Sequence, residues 1–358
     1  MNYVNLKSFT FGKELQSHVA EFKANMPFYS PETFEENMQK AVLEIADFIE
    51  KKHDAQLLGT GMHPLLRLEE VKIWSHRDRK IYETLSRIFN FYQHGWLNIN
   101  AFQLNLSYGD EKKAIQLHNA LTNILPYVPA ISASSPVYES KISEYTDSRL
   151  HFYQINQKEI PSITGSIVPE YVNSFKEYRQ ITIGNYTEEL QKVNAPKYLL
   201  NKEWLNSRGA IFRFDRKAIE IRIMDEQECI IADVALSCLI RASLRGMLSQ
   251  KEPYLPRDIL IEDLNSIITD GLEAKVQHPK GPTARDVCRY YFRMAWENAL
   301  VEEKKYLPIV GKRINEGSLS TLIRRDVLKK AQKTCLSEAI LSIYLKLVEK
   351  LKKNEVYS

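Results

Sequence analysis

The sequence predicts an α+β fold on three observations. Antiparallel hairpin signals outnumber βαβ signals, strand candidates concentrate in the first two thirds, and almost everything from Cys229 onward reads helical. The chain has 358 residues, enough for a large core. It reads as one domain, a sheet-bearing core over residues 1–250 with a helical tail over 251–358 packed on it.

The elements follow in order. SFTFGKEL, at 8–15, is a strand candidate in which Phe9 and Phe11 alternate, and SHVAEFKANMP at 17–27 is a second extended stretch. A helix is predicted from Ser30, its cap, with Pro31 at the first position and a stripe of Phe34, Val42, Ile45, Phe48 and Ile49. LLGTGMHPLL is a glycine-rich loop. The run 75–95 predicts a helix capped by Ser75 and ended by Gly95. In LNINAFQLNLSYGD, Phe102, Leu104 and Leu106 share one strand face and Gln103, Asn105 and Ser107 the other. Upstream, Leu97, Ile99 and Ala101 have the opposite parity, which predicts a bulge or kink near Ala101. Asp110 caps the next helix and Pro126 ends it. Residues 127–187 lack long periodicity and read as functional loops or insertions. AIFRF and AIEIRIM form a hairpin through DRK. Helices are predicted over 229–249, 258–272, 283–303, 318–331 and 334–352.

Composition narrows the function. Hydrophobic content of 44% and charged content of 26% are ordinary for a soluble globular protein. A net charge of +4, from 49 basic and 45 acidic residues, is too balanced for a nucleic-acid binder. The four cysteines form no CxxC pair and fit no zinc spacing, so a reducing cytoplasm is the plain reading. No run is apolar enough for a signal peptide or a bilayer span. The expected partners are small molecules, with neither nucleic acid nor membrane; a homo-oligomer is compatible with the sequence.

The residues that can carry chemistry are few. In KAIEIRIMDEQE, Ile219, Ile221 and Ile223 take one strand face, and Glu220 and Arg222 the other. A carboxylate and a guanidinium so placed can hold a metal–polyphosphate complex, with Asp225 following at the strand end. Pattern alone favours the plainer alternative, a cross-strand salt bridge on a wetted face. Gln103 and Asn105 offer neutral amides that bind a cation or a nucleotide less strongly than acids would; a solvated face explains them as well. In GTGMHP, Gly59 and Gly61 let backbone approach a ligand, but no P-loop sequence follows and the stretch reads equally as a turn. His63, before Pro64, reads as a loop residue without a nucleophile partner. Arg149 and Arg208 are single loop arginines.

In this order, GTGMHP, NAFQLNLSYGDEKKAIQLHNAL, LPYVPAISASSPVYESKISEYTDSR and NSRGAIFRFDRKAIEIRIMD resemble the glutamate–cysteine ligase type 2 family of carboxylate–amine ligases, from about residue 8 to about residue 250. The resemblance implies a glutamine-synthetase-like fold, an antiparallel sheet curved into a half-funnel with helices outside, holding ATP and Mg2+. It implies phosphorylation of a substrate carboxylate, usually the glutamate γ-carboxylate, followed by attack of an amine on the acyl phosphate to give an amide. On the matched positions, Glu14 and Glu220, with Glu21 beside them, are assigned to metal binding, Arg222 clamps the transferring phosphoryl group and shares the catalytic role with Arg208, and Arg208 and Arg149 bind anions. Departures are visible. Gln16 stands at a second acid position, Lys23 stands at another, with Glu21 nearby as partial compensation, and Gln103-x-Asn105 replaces a His-x-His strand. With these neutral or basic residues, His63, Lys23, Gln103 and Asn105 are assigned to substrate or nucleotide binding. Two functions follow: an ATP- and Mg2+-dependent ligase, or a degenerate non-catalytic member, a pseudoenzyme binding a nucleotide or an acidic metabolite. A third, an interaction protein, rests on the tail stripe Ile340, Ile343, Leu345, Leu347 and Leu351.

Overall fold

The computed structural model describes residues 3–74 and 79–358. The α+β class holds. The strands form two three-stranded antiparallel sheets and a small two-stranded one, β5 (Val137–Tyr138) with β6 (Lys141–Ile142), all embedded in helices. The first sheet runs β1 (Tyr3–Leu6), β2 (Phe9–Lys13), β3 (Ala20–Ala24). Phe9 is fully buried and stacks on Phe28 at 5.4 Å. Phe9 faces Ala24 and Phe11 faces Phe22, while Gly12 pairs with Glu21 and Thr10 with Lys23. Directly opposed residues share a face. Glu21 and Lys23 therefore lie on the side away from the phenylalanines, and Glu14 continues the parity of Gly12.

The second sheet has the order β4 (Ala101–Ser107), β8 (Ala218–Asp225), β7 (Ala210–Arg213). The parity change at Ala101 comes from the start of the strand and not from a bulge in β4: Leu97 lies in the one-turn His94–Leu97 helix and β4 begins at Ala101, while the irregularity of the ladder falls on the partner strand. Leu104 pairs with Ile221 and Phe102 with Met224, so two residues of β8, Arg222 and Ile223, oppose Gln103 alone. This corrects the simple alternation of β8. Past the bulge Met224 takes up the apolar face begun by Ile219 and Ile221, and Asp225 falls in with Glu220. The ionic side of the sheet is wetted unevenly: Glu220 is 2% exposed and Asp225 fully buried, whereas Gln103 and Asn105 on the same face are exposed.

The Pro31–His53 helix begins as its sequence dictates, with Ser30 accepting from Thr33 N and Pro31 in the first turn. It buries Met38, Val42 and Ile45, while Phe48 from the expected stripe is half exposed. The next helix, Arg79–Ile88, ends before Gly95, and its expected cap Ser75 lies outside the described residues. Gly95 is not a terminator: it sits in the one-turn His94–Leu97 helix, where a Cβ would come within 2.4 Å of the Phe152 carbonyl oxygen. Asp110 caps Glu111–Ile124 as expected.

The tail is helical, with two differences from the sequence pattern. The 283–303 run breaks after Ala284–Asn298, where Arg245 Nε donates to Asn298 O at 2.9 Å. Leu307–Glu316 is an additional helix, with Pro308 tolerated in its first turn. Most of the tail stripe is used internally: Ile340, Ile343 and Leu347 are buried with Leu319, Leu322 and Val137 in a second core, and Leu351 joins the main one. Leu345 alone is largely exposed, at 46%, so the stripe offers no continuous docking face. No helix among the described residues is long and apolar enough to cross a membrane.

Candidate functional site

The motif segments converge on Asp225. Its carboxylate accepts from Ser134 N (2.8 Å), Ser135 Oγ (2.7 Å) and Arg149 Nε. Arg149 also donates through Nη2 to Ile223 O at 2.6 Å, gripping the bulge itself. The glycine-rich loop closes over the same acid. Gly61 N donates to Ser134 Oγ at 2.7 Å, and a Cβ on Gly61 would lie 2.4 Å from the Asp225 carboxylate. Gly59 is equally constrained, by Gln227 O at 2.2 Å from its notional Cβ. These glycines are there for close packing of backbone on the strand end. Asp147, which caps the Ser148–Ile155 helix, is buried nearby, and burial and the Asp225 charge raise its pKa well above the usual carboxylate range.

Three expected ligand-binding residues are therefore part of the frame. Arg149 is 1% exposed and holds Asp225. Arg208 is 3% exposed, forks onto Glu170 (Nε–Oε2 2.6 Å, Nη2–Oε1 2.9 Å), and gives Nη1 to Ser162 O at 3.0 Å. All three of its nitrogens serve the protein, so an internal counter-ion replaces the expected anion. His63 Nδ1 accepts from Leu65 N and Leu66 N at 3.2 and 3.1 Å, and its own N donates to Asn98. Burial keeps this imidazole neutral by lowering its pKa, and it shapes its loop.

The remaining residues meet across the two sheets. Burial and then the Glu21 charge push Glu14 up to about 6, while Lys23, the Leu15 amide and Arg222 pull it back. Glu21, Lys23 and Arg222 are thus each within electrostatic reach of Glu14. Lys23 pairs with Glu21 at 2.7 Å. Gln16 is tied off: it is buried and donates to Trp96 O at 2.6 Å. Burial opposes the charge of Arg222, but Tyr153, Glu220 and Glu14 outweigh it and raise its pKa. Arg222 N bonds Gly209 O at 2.8 Å and Nη1 bonds Asn206 O at 2.7 Å, which fixes both ends of the residue. Beside it, Asn105 opposes Glu220 in the ladder, and both Gln103 and Asn105 are exposed.

Glu220 departs from its expected role. Arg213 Nη1 stands 2.6 Å from its carboxylate, Arg222 Nε 3.4 Å and Arg216 Nη1 3.6 Å. A cation beside Glu220 would face three guanidinium charges, each opposing it by about 4 kcal/mol per unit charge at 4 Å and an effective dielectric near 20. Glu220 does not fit as a metal ligand in this arrangement. Glu14 and Glu21 are the carboxylates that would hold one Mg2+, which takes one or two protein carboxylates alongside phosphate oxygens, and the Lys23 ammonium now paired with Glu21 would have to give way to it. Among the described residues no group of three or more His, Cys, Asp or Glu is arranged to hold a metal.

Sequence reasoning missed Arg213, Arg216 and Tyr153. The first two were within reach: counting the hairpin register through DRK places Arg213 opposite Ala218 and on the face of Glu220. Tyr153 carries no comparable signal, since it arrives from a separate helix.

Comparison with known proteins agrees with this architecture. An uncharacterized protein of Archaeoglobus fulgidus is 46% identical over 357 residues, spanning 100% of this chain and 91% of that protein. A Rubrobacter xylanophilus protein provisionally named glutamate–cysteine ligase 2-1 is 26% identical over 252 residues, 66% of this chain and 59% of its own length. A Legionella pneumophila protein provisionally named glutamate–cysteine ligase 2-2 is 25% identical over 280 residues, 70% of this chain and 68% of its own. In fold, the chain resembles the Pup ligase PafA of the prokaryotic ubiquitin-like modification pathway, solved in complex with ADP. That likeness has a TM-score of 0.50 at 8% identity and covers 95% of this chain and 69% of the other. The model of glutamate–cysteine ligase family 2 matches residues 1–335, well into the helical tail and beyond the reach of the motifs. The chain belongs to glutamate–cysteine ligase family 2.

Proposed function

We propose that this protein is an ATP- and Mg2+-dependent carboxylate–amine ligase. What supports the reading is the electrostatic proximity of Glu14, at the end of the first sheet, to both Glu21 and the Arg222 of the second, whose sheet also presents the exposed amides of Gln103 and Asn105. Glu14 and Glu21 would hold the metal, which when bound offsets the charge of the nucleotide phosphates. Arg222, its backbone and side chain both fixed, meets the oxygens of the transferring phosphoryl group. A carboxylate oxygen of the acid substrate attacks the γ-phosphorus as the bond to ADP breaks. The amine then attacks the acyl carbon, phosphate leaves with the C–O electron pair, and the amine gives up a proton. Glutamate is the first acid to test and cysteine the first amine, on family grounds.

The test is ADP release by purified protein with ATP, Mg2+, glutamate and a panel of amines. Turnover that needs both acid and amine supports the ligase, and R222K should lower kcat on the order of 100-fold. The tying-off of Gln16 and the Lys23–Glu21 pair favour a second reading, a nucleotide-binding module without turnover. Nucleotide binding with no ADP release under any acid–amine pair would select it, and turnover gained by Lys23→Glu would show that an acid had been lost.

A further inference from the structure

We propose that the exposed face around Trp296, in the helical tail, is a two-fold interface between copies of this chain. It is independent of the ligase reading. The carrying observation is a surface that complements itself. Trp296, on the Ala284–Asn298 helix, is 45% exposed, although indole rings are mostly covered in folded proteins. Its ring lies 6.0 Å from that of Phe292, and Pro308, from the Leu307–Glu316 helix, completes a groove of about 420 Å3. Gly311 lets the second helix come close, since a Cβ there would already stand 3.3 Å from the Phe292 ring. Just past the end of the first helix, Leu300 and Val301 are 44% and 88% exposed. Single apolar residues on a surface need no cover, but an aromatic groove followed by two bare aliphatic side chains is the kind of patch that a partner covers.

The charges identify the partner. Arg293 and Glu297 line the same groove, four residues apart on one helix face. Arg289, one turn earlier, pairs with Asp286 at 3.5 Å, but among the described residues neither Arg293 nor Glu297 has an ion-pair or hydrogen-bond partner. Arginine ahead of glutamate is also the poorer order for pairing within a helix. A second copy supplies both counter-charges at the required spacing. Laid antiparallel across a two-fold axis, the helix sets Arg293 against Glu297 of the partner subunit, and the same pair forms again on the other side of the axis. The axis then passes between the two charges, beside Trp296, so the indoles meet at the centre of the contact, where buried aromatic residues contribute most. Size sets the strength. A patch on the order of 400 Å2 a side is about half of what a standard interface buries per partner. The dimer is therefore reversible, with a Kd on the order of 10 μM.

The experiment is sedimentation equilibrium of the full chain from about 1 to about 300 μM. A monomer–dimer equilibrium is expected. Trp296→Ala should weaken it by about 30-fold or more, as loss of a central aromatic anchor does. Arg293→Glu should weaken it about tenfold, because it sets like charges together twice. The double variant Arg293→Glu with Glu297→Arg should return to within about threefold of the original, since the exchange restores both pairs. All three positions are exposed, and circular dichroism checks that each variant is folded. A chain that stays monomeric throughout overturns the proposal and leaves the face bare or to a different protein. A dimer indifferent to Trp296→Ala and Arg293→Glu overturns it too, because the contact then lies elsewhere. So does a double variant as weak as Arg293→Glu alone, which removes the reciprocal pairing, and so does growth beyond two copies, because a two-fold contact closes at the dimer.

Discussion

Asp225 shows how much a single side chain organises here. It is fully buried and takes bonds from Ser134, Ser135 and Arg149. Asp225→Asn leaves Arg149 without its counter-charge, and breaking a buried pair costs about 3–5 kcal/mol; urea denaturation should show a loss of that size. Gly61→Ala should destabilise by about 1–3 kcal/mol, the usual cost of overpacking, because its Cβ would meet the same carboxylate. Glu14 gives a pH signature. Its pKa rises from 4.5 to about 6 on folding, so folding favours its protonated form. Its contribution is full below pH 4.5 and lost as pH rises through 6, about 2 kcal/mol at 1.36 per pH unit. Glu14→Gln should remove that decline from a stability–pH curve. The motif residues were legible in the sequence because their spacing is unusual. Their roles were not: Arg149 and Arg208 read as anion binders because the acids that neutralise them, Asp225 and Glu170, lie 76 and 38 residues away.

Among the elements, the strands and most helices were legible because each is written locally. Ser30 with Pro31, Asp110 and the Ile219–Ile221 alternation are signals within a few residues of what they govern. The parity conflict near Ala101 marked the start of β4 and not a bulge, because Leu97 belongs to a one-turn helix, and the bulge on β8 left no signal since Ile219, Ile221 and Ile223 alternate without a break. The helix break at Asn298 was hidden because Arg245, from a different helix, takes up the freed carbonyl. A similar distant contact starts the Ile230–Gln250 helix, which has no side-chain cap of its own: Asn354 Oδ1 accepts from Ile231 N at 2.8 Å. Asn354 is left-handed, with φ 53, so Asn354→Gly keeps the backbone unstrained and removes only the side chain. A loss of about 1 kcal/mol in chemical denaturation is expected, the usual worth of a cap.

Across the whole molecule, the helical tail steadies the strand that bears the candidate site. Tyr357 N donates to Glu228 at 2.8 Å, three residues beyond β8, and Tyr357 Oη donates to Asp326 at 2.7 Å. Arg313 pairs with the same buried Glu228. Gln39, on the Pro31–His53 helix, donates to Leu351 O and Lys352 O, both at 3.0 Å. The α+β class and the helical tail followed from composition by region. The division of the strands among three sheets did not, because strand pairing between distant segments leaves no periodic trace.

The Asp225 hub also has a consequence for how fast the protein is made ready. Its bonds close loops of 76, 90 and 91 residues, and none of the entropy lost in closing them is recovered until those partners arrive together. The acid stays hydrated, and the end of β8 unsheltered, until late on the route from unfolded chain to native state. Refolding should therefore be slow, and its rate-limiting barrier should fall when Asp225 is made neutral, even as the finished structure weakens.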